Sequence, residues 1–130
     1  KYMTGCSVLN CFVIRQLLGR ARYLDSRPVD EQDYEQALEI VKQFDAFVPL
    51  EHLFHPTVLQ LLEEKVPEYH EGLTKAGSEY RVDYASGVNR TAQSRFELDG
   101  KLRERLKEEN KYDIMLYERI IQGLGIEVKE

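Results

Sequence analysis

Apolar residues recur at helical spacing along most of this chain, and that period limits what it can fold into. Tyr34, Ala37, Leu38 and Val41 make one stripe, with Glu35, Glu39 and Lys42 opposite. Val58, Leu61, Leu62 and Val66 make a second, and Leu98, Leu102 and Leu106 a third. Ile114, Tyr117 and Ile121 make a fourth, flanked by Met115 and Ile120. Such a stripe buries against a neighbour and leaves its far side to water. A further segment, Ser7 to Leu18, is apolar nearly all round. Leu9, Phe12, Val13 and Leu17 share a face that Val8, Cys11, Ile14 and Leu18 extend. The pattern predicts five helices.

Punctuation sets their ends. Ser7 is a natural N-cap for the first helix and Gly19 a natural stop. The stretch from Arg20 to Val29, with Pro28, reads as a connection. Asp30 caps the second helix, and Glu31 and Asp33 suit the positive end of its dipole. Ala46-Phe47-Val48-Pro49-Leu50 follows, a short apolar run after an amphipathic helix, which is how a strand in an αβ unit reads. Pro49 confines it to a strand end or an edge. His55-Pro56 opens the third helix with proline at its first position, and Pro67 ends it. Residues 68–96 show no sustained period, as expected of a functional loop or an extension packed on something else. The fourth helix runs from Leu98 to a stop at Asn110, with Glu97 and Lys101 as an i,i+4 pair. The last runs from Asp113 through Gln122 and closes at Gly123 and Gly125. The predicted fold is predominantly α with one or two short strands, in a single partial domain over residues 1–130.

Hydrophobic residues make up 42% of the chain and charged ones 32%, with the two signs interspersed; this is a globular composition. A net charge of -5 argues against nucleic acid as a partner, because phosphate binding needs a basic face. The longest apolar run, Val8 to Leu18, is broken by Asn10, Arg15 and Gln16 and is too short for a transmembrane segment. The first residue is Lys1 and no signal peptide is visible, so upstream sequence is expected.

Candidate chemistry is sparse. Cys6 and Cys11 are expected to be free, buried thiols, since an i,i+5 pair on a helix points to different faces. Glu51-His52 and His55 form E-H-x-x-H, but two histidines without a third ligand do not predict a metal. Glu51 lies just past the predicted strand, where open α/β sheets place ligands. Arginines 15, 20, 22 and 27 fit either an anionic ligand or an ion-paired cluster. Asn89-Arg90-Thr91 fits the N-glycosylation pattern. No phosphate-cradle motif and no nucleophile-elbow or cysteine-protease signature is present.

Several blocks, taken in order, resemble a known family. Leu102 to Leu106 followed by Glu109-Asn110-Lys111-Tyr112-Asp113-Ile114-Met115-Leu116-Tyr117-Glu118 is similar to the L…L…N-x-x-D-x-x-L-Y-E close of the membrane-associated carbohydrate sulfotransferases. Arg15-Gln16-Leu17-Leu18-Gly19 resembles their Q-T-R-x-L-x-G segment, with Val13 and Ile14 in place of Gln and Thr. Phe44-Asp45-Ala46-Phe47-Val48-Pro49-Leu50-Glu51 resembles their F-D-x-V-G-L-x-E strand, with Pro49 in place of Gly. Asn89-Arg90-Thr91 sits where the family often has Asn followed by Ser or Thr.

The resemblance implies the C-terminal part of an α/β P-loop-like sulfotransferase fold. It implies PAPS as sulfuryl donor, a carbohydrate hydroxyl as acceptor, and a Golgi-lumenal setting. It implies that the loops holding the donor's phosphates lie upstream, so that the partner of this chain is its own N-terminal half. It implies Asn89, Arg90, Thr91 and Arg15 near the nucleotide and Glu51 near the acceptor, with no catalytic residue in the chain. The alternative expectation is a non-catalytic sulfotransferase-like structural or accessory subunit of a larger assembly. A third is a helical interaction module outside the family.

Overall fold

The computed structural model describes residues 10–73 and 99–127. Its helices are α1 (Phe12–Leu17), α2 (Arg20–Leu24), α3 (Glu31–Val41), α4 (Pro56–Lys65), α5 (67–73), α6 (Gly100–Glu109) and α7 (Lys111–Gly123). A 3-10 turn, Leu50–His52, precedes α4. The chain divides into two compact units, Lys1–Phe47 with Asp99–Glu130, and Val48–Leu98.

The first unit is held by an apolar cluster from three helices, α1, α3 and α7, and the segments beside them. Cys11, Ile14, Val29, Tyr34, Ala37 and Leu116 are buried there, and Leu17, Leu18, Leu38, Val41, Tyr112 and Ile120 pack around them. The stripe of α3 faces this core as its spacing predicts. Asp30 caps α3 by accepting from the Asp33 N–H at 3.0 Å, and the Asp33 carboxylate accepts from the Asp30 N–H at 3.1 Å. This is a reciprocal capping box with aspartate in the second acidic place. In the second unit, α4 starts at Pro56 as expected. His55 Nδ1 accepts from the Thr57 N–H at 3.3 Å, and Val58 and Leu62 are buried.

Several expectations need correction. Among the described residues there is no strand. Residues 46–49 are irregular and the chain then turns at Leu50, with the His52 N–H donating to the Pro49 carbonyl. A strand needs a neighbouring ladder, and Pro49 cannot donate to one. Arg20–Leu24 is a short helix and not a connection. Pro67 does end α4 at Val66, but it also starts α5. α1 begins only at Phe12, because Cys11 sits in the left-handed region at φ 51. Ser7, Cys6, Glu97 and Leu98 lie outside the described residues.

Helix α7 turns inward only part of the face its apolar residues suggest: Ile121 is fully buried as expected, but Ile114 is not. Ile114 is 39% exposed and Met115 42%, whereas Leu116 is 1% exposed. The inward row is Tyr112, Leu116 and Ile120, spaced four apart. Tyr112 also lies against Tyr34, with ring centroids 6.0 Å apart. The helix closes with paired bonds from the Ile126 N–H to the Ile121 carbonyl (3.2 Å) and from the Gly125 N–H to the Gln122 carbonyl (3.0 Å). That is a Schellman close, with Gly125 at φ 67 and both Ile121 and Ile126 buried. Open space surrounds the position of a Cβ at Gly125, so an added methyl meets no neighbour. Gly125→Ala should therefore cost only the left-handed backbone penalty, about 1–2 kcal/mol in urea denaturation. A loss under about 0.3 kcal/mol would show that this close does not hold the helix end.

Candidate functional site

The densest polar arrangement in the first unit is built around Arg15. Its side chain is 0% exposed, although it sits on a six-residue helix. Burying a guanidinium is costly unless every donor finds an acceptor. Here they do. Nε donates to the Asn10 carbonyl at 2.7 Å. Nη1 donates to the carbonyls of Arg22 at 3.2 Å and Asp25 at 2.6 Å. Nη2 donates to Asn10 Oδ1 at 3.2 Å and the Arg27 carbonyl at 2.8 Å. Burial and the neighbouring Arg22 charge lower the affinity of this guanidinium for its proton, and Asp25, Cys11 and Asp33 work the other way. Arg15 thus gathers the segment between α2 and α3 around itself.

Outside that hub lies an ion network. Asp33, only 7% exposed at its side chain, accepts from Arg22 Nε at 3.1 Å and Arg22 Nη2 at 2.6 Å. Arg27 Nη2 donates to the same carboxylate at 3.2 Å and Nη1 bonds to Asp30. Arg22 also pairs with Asp25 at 3.2 Å. Asp25 accepts from the Arg27 N–H at 2.9 Å, the main cause of its lowered pKa. Three guanidiniums, of Arg15, Arg22 and Arg27, are thus matched by three carboxylates, of Asp25, Asp30 and Asp33. The cluster has no surplus positive charge for an anion, and the donors of Arg15 and Arg22 are already committed.

Burial alone would raise the pKa of Asp33. The hydrogen bonds from Arg22 and the Asp30 N–H, with the charges of Arg22 and Arg27, outweigh it and hold the group at about 2, against an ordinary 3.8. A carboxyl whose folded pKa is depressed stabilises the fold above its unfolded pKa. That stabilisation disappears as pH falls toward the folded value. Between pH 4 and pH 2 the protein should lose roughly 2 kcal/mol through this group. Urea denaturation of wild type and Asp33→Asn at both pH values measures it. An equal loss in the two proteins would remove Asp33 as the cause.

A second polar cluster joins the start of α1 to the α6–α7 junction. The Val13 and Ile14 N–H groups donate to the two carboxylate oxygens of Asp113, at 2.9 and 3.0 Å. The Cys11 N–H donates to Asn110 Oδ1 at 3.0 Å, and Asn10 Nδ2 donates to the Glu109 carbonyl. Cys11 provides no side-chain cap to α1, so a carboxylate from a distant helix takes that place. The Cys11 thiol is buried beside the Glu109 carbonyl, and burial pushes its pKa up.

The expected site residues do not gather into one place among the described residues. Arg15 is the buried hub of the first unit. Glu51 is exposed in the 3-10 turn of the second unit. Asn89, Arg90 and Thr91 lie outside the described residues. The rings of His52 and His55 stand edge to face at 6.4 Å. No group of three or more possible metal ligands occurs among the described residues. Likewise, no described helix is long and apolar enough to cross a membrane. Sequence reasoning missed Asn10, Asp33 and Asp113 as organising residues. Only Asp33 carried a local signal, its place three residues after the Asp30 cap. Comparison with protein-family models, with curated proteins and with solved structures finds no match to this chain.

Proposed function

We propose that this chain is the helical C-terminal part of a protein of the PAPS-dependent carbohydrate sulfotransferase type, and that its work is to support a donor site built elsewhere. One observation carries the reading. Two blocks of the resemblance, Arg15–Gly19 and Asn110–Glu118, are distant in sequence, yet Asn110 and Asp113 bond directly to the start of the helix that bears Arg15. Residues shared with the family pattern thus take part in the bonds that join the start of α1 to α7.

The arginines of the buried network are not open to the donor's phosphates. Arg15 is closed in by carbonyls, and Arg22 and Arg27 are neutralised by aspartates. The donor grip is therefore assigned to residues outside the described ones, with Asn89, Arg90 and Thr91 as candidate nucleotide neighbours and Glu51 as a candidate on the acceptor side. The same committed donors favour a second reading, a sulfotransferase-like accessory subunit that catalyses nothing.

Binding of 3′-phosphoadenosine 5′-phosphate to the full-length protein separates the two. At a hundred times its Kd the nucleotide should stabilise the fold by about 2.7 kcal/mol, read as a rise in Tm. Sulfate transfer from PAPS to a polysaccharide panel should accompany it. A protein with neither response, isolated with a stoichiometric partner, belongs to the accessory class. Absence of nucleotide binding, transfer and partner would leave both readings without support.

A further inference from the structure

We draw no further inference here: the strongest candidate, the surface set of half-exposed apolar side chains Leu102 and Leu106 on α6 with Ile114 and Met115 on α7, is an unpartnered apolar face, and nothing in the structure shows what covers it.

Discussion

Replacing Arg15 with methionine should cost the protein about 2–5 kcal/mol, because five hydrogen bonds from a buried guanidinium are lost together. The methionine keeps much of the side chain's bulk, so the loss reports on hydrogen bonds more than on a cavity. Two acceptors, the carbonyls of Asn10 and Asp25, have Arg15 as their recorded donor. Three others keep a second one. The Arg22 carbonyl retains the Asp25 N–H, the Arg27 carbonyl retains Arg22 Nη1, and Asn10 Oδ1 retains the Val29 N–H. Each buried acceptor left bare costs about 1–3 kcal/mol, so the two orphaned carbonyls supply most of the effect. Arg15→Lys keeps the charge but offers one point donor where a planar fork is needed, and should recover less than half of the loss. Urea denaturation followed by circular dichroism tests both variants. An Arg15→Met protein within 1 kcal/mol of wild type would mean that the connecting segment holds its shape without the guanidinium.

The second large effect belongs to Asp113. Asp113→Ala should destabilise by about 2–3 kcal/mol, because hydrogen bonds to a charged group contribute more than neutral ones and two are lost together. The Val13 N–H is exposed and water can replace its partner. The Ile14 N–H is partly buried and cannot be satisfied so easily. Asp113→Asn retains one acceptor oxygen and loses the charge at the positive end of α1, so its cost should be about half as large. Amide hydrogen exchange gives a readout confined to the site. Protection at Val13 and Ile14 should fall in Asp113→Ala by more than it falls in the middle of α3. A uniform loss across both helices would point to general destabilisation and not to a lost cap.

What the sequence made legible follows from how far each signal reaches. The Asp30 cap, the α3 stripe, the His55-Pro56 start and the Asn110 boundary all rest on residues within four positions of each other, and the structure has each of them. The strand expected at Ala46–Leu50 failed for the converse reason. Its apolar run is local, but a strand exists only through a neighbour, and none is present among the described residues. The face of α7 was ambiguous because Ile114, Met115, Leu116, Tyr117, Ile120 and Ile121 are apolar on almost every side; only the position of Tyr34 and Ile14 in the core selects Leu116. Arg15 looked like a candidate for an anion because its charge is visible in sequence while its acceptors, backbone carbonyls, are not. Asp113 as a cap for α1 was out of reach, since its partners lie 99 and 100 residues away.

That separation has a consequence for the order of events on the ribosome. Helix α1 receives its cap from a residue synthesised 100 positions later than Val13. At roughly 5–20 residues per second, the cap arrives about 5–20 s after the amides that need it. During that interval a six-residue helix must wait, and helices so short do not persist unaided. The first helix of the described fold is therefore among the last to be completed, and every residue between the two partners is made before the unit can close.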